Sequence, residues 1–346
     1  MPTQSPARPD RDADRHRRAL QTAVGQIQRR YGHGALWRLD PDQPIPPTPA
    51  IPTGSLSLDL ALGVGGLPRG RITELYGPEA SGKTTLALSV IAQAQQAGGT
   101  AVYVDAEHAL DVGWARTVGV EVERLLLCQP DHAEHALGVC ETLLRSGAVD
   151  VVVIDSVAAL VSRVELEGEM GDALGHRQSV LLAQAMRKLA GVIHHAGAVV
   201  VCCNQLRERV GQLFGNPEFT PGGRALKHHA AVRLDVRRVE SLQDERRRVV
   251  GNRVRVKVVK NKVACPFRVA ELDLRFDCGI DPLAGLLDLG VELGLVGRAG
   301  RSFTFQQTQL GSYREGALGF LRERPDLATQ LDQQVRAKLG MGGDPR

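Results

Sequence analysis

The fold class follows from the segment Arg71-Ile72-Thr73-Glu74-Leu75-Tyr76-Gly77-Pro78-Glu79-Ala80-Ser81-Gly82-Lys83-Thr84-Thr85. Residues 71–76 predict a strand, and an apolar helix is predicted to begin at Lys83. The residues between them fit the pattern Gly-x4-Gly-Lys-Thr, in which backbone N–H groups surround a phosphate and a helix N-terminus adds positive potential. Because strand, loop and helix follow in this order, a chance glycine-rich loop is disfavoured. The segment predicts a nucleotide-binding phosphate loop at residues 77–85.

Predicted strands and helices alternate on the C-terminal side of the phosphate loop. The strands are predicted at 100–105, 149–155 and 198–203, and the helices at 83–97, 134–146 and 178–196. Strands that are continuous apolar runs, separated by helices, indicate a mostly parallel sheet that is covered on both faces. Two further strands, 230–238 and 253–260, alternate apolar and basic residues and predict one positive, solvated face.

Smaller regions flank this α/β core. Residues 1–15 are polar without periodicity and are expected to lack structure, whereas 16–31 predict a helix with one apolar stripe. The proline-rich segment 41–52 indicates an extended linker. We therefore expect an N-terminal helix and linker at 1–50, an ATPase core at 51–280 and a small C-terminal α+β domain at 281–346 that ends in a helix at 326–339.

Polar side chains are predicted at the carboxyl ends of the parallel strands, where ligands bind in open α/β sheets. Lys83 is expected to contact the β- and γ-phosphates, and Thr84 to offer its hydroxyl to Mg²⁺. Asp155 ends an apolar strand and is expected to hold the Mg²⁺ shell, the alternative being a carboxylate that caps the next turn. These positions predict ATP and Mg²⁺ as ligands.

Two other strand ends carry candidate catalytic groups. Asp105 and Glu107 follow the strand next to the phosphate loop, and a carboxylate there can polarise water for attack on the γ-phosphate. We favour Glu107, because it lies beyond the strand, although the spacing leaves Asp105 open. Asn204-Gln205 follows the strand 198–203, where an amide can contact a γ-phosphate without adding charge; a simple turn amide is the alternative.

Composition limits the class of protein. Hydrophobic residues make up 43% and charged residues 24% of the 346 residues, which excludes general disorder. No apolar run is long enough to span a bilayer and the first residues lack a secretory pattern, so we expect a cytoplasmic protein without a membrane partner. The six cysteines lack zinc-site spacing and predict buried, reduced thiols.

Taken together, the motifs closely resemble the bacterial RecA recombinase family. The matching segments are Thr53–Gly63, Gly77–Thr85, Asp105–Asp111, Asp155–Leu160, Gln184–Gly191, Phe214–Glu218 and Arg255–Lys262. The resemblance implies a RecA-type P-loop ATPase core. It also implies a DNA-dependent ATPase that forms a homo-oligomeric helical filament on single-stranded DNA, exchanges strands with a homologous double-stranded DNA in recombination and DNA repair, and stimulates self-cleavage of a LexA-type repressor in the SOS response.

The resemblance also implies roles for individual residues. Glu107 would activate water, and Gln205 would couple the γ-phosphate to the following DNA-binding loop. Lys260 and Lys262 would reach the ATP of the adjacent subunit, and Asp111 and Trp114 would handle the adenine. Arg187 and Gly223 would contact the primary DNA strand, and a secondary DNA site would comprise Arg207, Arg209, Arg237, Arg238, Arg255 and Lys257.

The residues themselves also indicate DNA binding. Net charge is only +4, but ten Arg or Lys residues against three acids lie between Arg237 and Lys262, which indicates a polyanion partner or, equally, a solvated charged hairpin. A Gly/Pro-bearing second loop at about 206–224 is long enough to be functional, and a first loop is predicted at about 167–178. The second loop carries residues that can neutralise phosphates, insert between bases or approach the backbone closely: Arg207, Arg209, Val210, Gly211, Phe214, Gly222, Gly223 and Arg224.

Several residues depart from the family pattern. The first loop reads Gly171-Asp-Ala-Leu-Gly-His-Arg177, and the last residues, Gly342-Gly-Asp-Pro-Arg346, lack an acidic tail, so weaker restraint of duplex binding is expected. A divergent paralogue that forms filaments or signals without efficient strand exchange is therefore the alternative function. A hexameric helicase or another motor of the same fold is disfavoured, because the matching continues through the C-terminal region.

Overall fold

The structure, a computed structural model, describes residues 11–36, 47–169, 176–208, 218–244 and 246–340. The chain divides into two compact units, residues 1–47 and 48–346. The first unit contains helix α1, Arg11–Tyr31, which begins earlier than residue 16. The expectation that residues 11–15 lack structure is wrong, because arginine and alanine favour the helix and the aspartates lie near its positive N-terminal end.

The second unit holds the remaining helices. They are α2 (Leu56–Leu62), α3 (Lys83–Gln96), α4 (Val112–Thr117), α5 (Ala133–Ser146), α6 (Arg163–Glu167), α7 (His176–Ala196), α8 (Gly223–His229), α9 (Pro282–Glu292), α10 (Arg314–Glu323) and α11 (Pro325–Lys338). Side chains cap several of them; for example, the Asp111 carboxylate accepts a hydrogen bond from the Trp114 amide at the start of α4.

The strands all lie in the second unit. They are β1 (Ala50–Ile51), β2 (Leu67–Pro68), β3 (Arg71–Gly77), β4 (Ala101–Asp105), β5 (Leu126–Cys128), β6 (Val151–Asp155), β7 (Val199–Gln205), β8 (Arg207–Glu208), β9 (Glu218–Phe219), β10 (Val232–Gln243), β11 (Val249–Asn261), β12 (Val269–Arg275), β13 (Gly279–Ile280), β14 (Val296–Ala299), β15 (Ser302–Phe305) and β16 (Thr308–Ser312).

Within the described residues, a nine-stranded sheet runs in the order β13-β12-β11-β10-β3-β7-β6-β4-β5. The strands from β10 to β5 pair in parallel, and β11, β12 and β13 are added antiparallel. Alternate residues of a strand enter different hydrophobic clusters: Val151 and Val153 pack in the cluster that contains α3, whereas Val152 and Ile154 pack in the one that contains α5 and α7. The predicted α/β class, with a mostly parallel sheet flanked by helices, is confirmed.

The C-terminal elements form their own hydrophobic cluster. The strands β14, β15 and β16 make a small antiparallel sheet, and Phe303, Phe305 and Leu310 pack with apolar residues of α9, α10 and α11. Arg314 of α10 joins this cluster to the large sheet through Asp273 of β12, at 2.5 Å.

Two predicted boundaries differ in ways that matter for the site. Strand β7 continues to Gln205, so Asn204 and Gln205 belong to the strand and do not follow it. The second loop is not wholly irregular, because Arg207–Glu208 pairs with Glu218–Phe219 and α8 begins at Gly223. Residues 209–217 and 170–175, within the second and first loops, are outside the described residues.

Candidate nucleotide and DNA sites

The phosphate loop joins β3 to α3 as predicted, and glycine is required at both of its ends. A Cβ on Gly77 would lie 2.0 Å from the Val236 carbonyl oxygen, and a Cβ on Gly82, whose φ is +96°, would lie 2.3 Å from Leu274. The Lys83 ammonium folds back onto the loop and donates to the carbonyl oxygens of Gly77 (3.1 Å) and Pro78 (2.6 Å). A phosphate in the loop would compete for these donor bonds.

The helix side of the loop offers a place for Mg²⁺. The Thr84 hydroxyl donates to the Asp155 carboxylate at 2.6 Å, and the Tyr103 hydroxyl donates to the same oxygen at 2.9 Å. Burial raises the pKa of Asp155, while the hydrogen bonds from Thr84 and Tyr103 act in the opposite direction. One hydroxyl and one carboxylate fit Mg²⁺, which is usually held by one or two protein oxygens together with phosphates and water.

The two carboxylates after β4 have different surroundings. Asp105 is buried and accepts hydrogen bonds from the amides of Ala109 and Leu110 and from the Gln129 side chain. Glu107 accepts from Ser156 and from the Gln205 amide nitrogen, the latter at 2.9 Å. Asp105 thus stabilises the turn, whereas Glu107 lies between the ends of β6 and β7, beside the phosphate loop.

A cavity of about 220 Å³ adjoins the phosphate loop and the start of α3, next to the place where a triphosphate would bind. Trp114 lines it, and the indole nitrogen donates to the Thr85 hydroxyl at 3.2 Å. The Asp111 side chain is occupied as the cap of α4. The lining also includes Asn252 of β11, Arg275 of β12 and Phe276, which the motif analysis did not assign to the nucleotide because they are distant from the phosphate loop in sequence.

Lys260 and Lys262 are not brought to the phosphate loop of their own chain. In the sheet, Lys260 lies level with Arg233 and Glu74, which is in the middle of β3. Asn261 lies level with Thr73, so Lys262 is nearer the start of β3, whereas the phosphate loop follows its end. Lys260 donates to the carbonyl oxygens of Lys227 (2.6 Å) and His228 (3.1 Å), and Lys262 donates to that of His228. Burial, with Lys262 and Arg233 nearby, lowers the pKa of Lys260.

The returning end of the second loop lies against α7. Gly222 and Gly223 have φ of +86° and +67°, and a Cβ on either would contact Leu182 or Ser179 of α7 at about 3 Å. Arg187, Arg207 and Arg224 are exposed. The other predicted contacts of this loop are outside the described residues: Arg209, Val210, Gly211 and Phe214.

The predicted basic face of β10 and β11 is partly neutralised. Arg237 pairs with Glu218 (2.5 Å) and Asp235 (2.9 Å), and Arg255 pairs with Glu271 (3.3 Å). Arg238 and Lys257 are exposed. Because two of these four residues, Arg237 and Arg255, pair with acids supplied by other elements, the basic face is less positive than its own sequence predicts.

Other expectations concern cysteines, metals and membranes. Cys140, Cys202 and Cys203 are buried, but Cys265 and Cys278 are exposed, so the expectation that the cysteines are buried is wrong for these two. In the described parts of the chain, no cluster of three His, Cys, Asp or Glu residues is arranged to bind a metal. None of the described helices combines the length and apolar character that a membrane crossing needs.

Comparison with known proteins gives matches over nearly the whole chain. The sequence model of the RecA N-terminal domain matches residues 18–281, and that of the RecA C-terminal domain matches residues 284–340. The chain is 54% identical to Protein RecA of Acidothermus cellulolyticus over 94% of both chains. It is 53% identical to Protein RecA of Salinispora tropica, over 96% of this chain and 94% of the relative, and 52% identical to Protein RecA of Kineococcus radiotolerans, over 95% and 94%.

Proposed function

The chain belongs to the RecA family, and on that basis we propose that it is an ATP- and single-stranded-DNA-dependent recombinase that forms helical filaments. In this function it pairs the bound strand with a homologous duplex and exchanges strands during DNA repair. The observation that carries the proposal is the 2.9 Å hydrogen bond between Gln205 and Glu107, because it joins a candidate γ-phosphate sensor at the start of the second loop to a candidate base.

ATP hydrolysis is assigned to groups of the phosphate loop and the neighbouring strand ends. Glu107 accepts a proton from water as the water oxygen bonds to the γ-phosphorus and the bond from that phosphorus to the bridging β–γ oxygen breaks, giving ADP and phosphate. Lys83 binds the β- and γ-oxygens in place of the loop carbonyls that it now contacts. Thr84 and Asp155 would hold Mg²⁺, which would neutralise phosphate charge.

Full turnover requires a neighbouring subunit in this proposal. Lys260 and Lys262 donate to carbonyl oxygens of α8 and not to groups of their own phosphate loop, so we assign them to the triphosphate of the adjacent protomer. Cations supplied in trans stabilise the transition state in other phosphoryl-transfer enzymes. Helix α1 is assigned to the head-to-tail contact that builds the open helix.

DNA is assigned to the two loops and to the exposed cations near them. Arg187 and Gly223 would contact the primary strand, while Arg207, Arg238, Arg255 and Lys257 would serve a second strand. Ordering of these loops by bound ATP would produce the nucleotide-dependent grip on DNA. The resulting filament would also stimulate self-cleavage of a LexA-type repressor.

The decisive experiment measures ATP hydrolysis with and without oligothymidylate, followed by imaging and a joint-molecule assay with homologous duplex on the same preparation. We expect DNA-stimulated hydrolysis, helical filaments and joint molecules, all lost in Lys83→Ala. Hydrolysis and filaments without joint molecules would indicate the divergent paralogue. A chain that stays monomeric and ignores oligonucleotide when saturated with a nonhydrolysable triphosphate would overturn the proposal.

A further inference from the structure

A buried polar pair, Glu74 and Asn204, lies beneath the sensor Gln205 and takes no direct part in the proposed chemistry. Glu74 is in β3 and Asn204 in β7, and both are 0% exposed. The Asn204 amide nitrogen donates to the Glu74 carboxylate at 3.1 Å. A buried carboxylate is costly unless paired, and Arg233 of β10 completes its bonding at 2.5 Å.

The same amide nitrogen reaches the second loop. Asn204 also donates to the Pro221 carbonyl oxygen at 3.0 Å. Pro221 lies immediately before Gly222 and Gly223, where the returning arm of the second loop enters α8. Because both partners of the amide nitrogen are acceptors, the orientation of the Asn204 side chain is unambiguous. One side chain therefore connects the end of β7 to the returning arm.

Neighbouring residues of β7 contact different sites. Successive side chains of a strand project to opposite faces, so Gln205 contacts Glu107 on one side while Asn204 contacts Glu74 and Pro221 on the other. A displacement of the β7 end that moves Gln205 must move Asn204 as well. A displacement of Gln205 by a hydrogen bond to the γ-phosphate would thus also displace Asn204 and, through it, Pro221.

The pair also has unused bonding capacity. Among the described residues, the buried Asn204 carbonyl oxygen and the buried Thr220 hydroxyl have no hydrogen-bond partner. One is an acceptor and the other a donor, and Thr220 adjoins Pro221, so a shift of the returning arm would allow them to pair. Unpaired buried polar groups are unfavourable, which favours an arm with a second arrangement.

We propose that Asn204, anchored by Glu74, is a positioning residue that couples the triphosphate sensor Gln205 to the returning arm of the second DNA loop. The inference rests on the proposed function and deepens it by naming a hydrogen-bonded connection between the two sites. Asn204 contacts neither nucleotide nor DNA in this scheme. Its loss should therefore leave nucleotide binding intact and remove the dependence of DNA affinity on the third phosphate.

The test uses the full chain and the variant Asn204→Asp, which keeps the size of the side chain but replaces the donor by a carboxylate facing two acceptors. Oligothymidylate affinity is measured with adenylyl imidodiphosphate and with ADP, and the ratio of the two affinities is the readout. We expect the variant to lower this ratio about tenfold or more, with its affinity for a fluorescent triphosphate analogue unchanged. A purely structural defect would lower both DNA affinities together and leave the ratio unchanged.

The matched control is Thr73→Val, which removes a buried, unpaired hydroxyl next to Glu74 without touching the pair, and its ratio should equal that of the wild type. If Asn204→Asp does not fold, Asn204→Ala carries the same expectation, because it loses the donor without adding charge. A wild-type ratio retained in a folded variant overturns the inference and leaves the proposed function standing. Equal DNA affinity with both nucleotides in the wild-type chain overturns the proposed function as well.

Discussion

Asp105 and Glu107 are two residues apart on the same turn, yet their hydrogen bonds separate their roles. Asp105 accepts from two backbone amides and a glutamine side chain, so its oxygens are occupied by the protein. Glu107 accepts hydrogen bonds from Ser156, just after β6, and from Gln205 at the end of β7, where a triphosphate in the phosphate loop would extend. A carboxylate can act as a base only where water and substrate reach it.

Replacing these two carboxylates by amides should therefore have different effects. Glu107→Gln should lower DNA-stimulated hydrolysis by about a hundredfold or more, since the amide cannot accept the proton, and should leave ATP-dependent DNA binding in place. Asp105→Asn is the control; it presents an NH₂ group to existing donors and should lower the free energy of unfolding by about 1–3 kcal/mol. Rapid hydrolysis by Glu107→Gln would assign the base elsewhere.

Asp59 gives a residue-level prediction about pH. It is 8% exposed, and its carboxylate accepts two hydrogen bonds from Thr53, at 2.9 Å and 2.8 Å. Burial raises its pKa to about 7, against the hydrogen bonds from Thr53. The folded chain therefore retains a proton that the unfolded chain releases between about pH 4 and pH 7, so stability falls as pH rises through this window.

Asp59→Asn should remove this pH dependence. The amide oxygen still accepts from Thr53, but no charge forms at high pH. We expect the variant to exceed the wild type in stability by about 2 kcal/mol at pH 8 and by little near pH 4. Denaturant unfolding at the two pH values measures the difference, and an equal difference at both would show that Asp59 does not titrate in this range.

Helix α8 connects two candidate sites at the scale of secondary structure. Its N-terminal glycines follow the second loop, and the carbonyl oxygens near its C-terminal end bind Lys260 and Lys262. A phosphate from a neighbour would have to draw these lysines away from the helix. Binding of DNA at one end of α8 and of a neighbour's nucleotide at the other would then influence each other.

Lys260→Ala should separate nucleotide binding by a single subunit from hydrolysis that needs a neighbouring subunit. The variant should bind nucleotide as a single subunit like the wild type, because Lys260 donates to carbonyl oxygens of α8 and not to its own phosphate loop. DNA-stimulated turnover should fall by about a hundredfold or more. Mixing it with Lys83→Ala subunits provides a check, since a junction that combines an intact phosphate loop with an intact Lys260 regains activity. Mixtures that remain inactive at every ratio would contradict action across the interface.

Local patterns predicted some elements well and others only in part. The segment from Arg71 to Thr85 is contiguous, so its strand, loop and helix could be read directly from the sequence. Glu218 pairs with Arg237, and Asp273 pairs with Arg253; both acids come from other elements, so a window of charge along β10 and β11 could not include them. Phe276 is brought to the nucleotide pocket by the pairing of β12 with β11, a long-range contact without a local pattern.

The distribution of charge over the whole molecule determines how salt should affect DNA binding. On single strands, the logarithm of the affinity falls with the logarithm of salt by about 0.7 per phosphate neutralised. The exposed Lys257 should contribute to this slope, whereas the cation of Arg237 is already balanced by Glu218 and Asp235.

We expect Lys257→Ala to reduce the salt slope by about 0.7 and to weaken binding to all sequences alike. Arg145→Ala removes a cation that Glu141 already balances, and it should leave the slope unchanged. Titrations of oligonucleotide over a range of salt measure both. Equal salt slopes for the wild type and Lys257→Ala would indicate that the DNA binds another face of the protein.

The separation of Lys260 and Lys262 from the phosphate loop of their own chain has a consequence for assembly. If each triphosphate needs lysines from the next subunit, a linear polymer always has one fewer complete ATPase site than it has subunits. In a short polymer a large fraction of the subunits would lack a complete site, whereas in a long polymer nearly every subunit would have one. The rate of hydrolysis per subunit would then depend on polymer length, and severing a polymer would lower this rate without altering any active-site group.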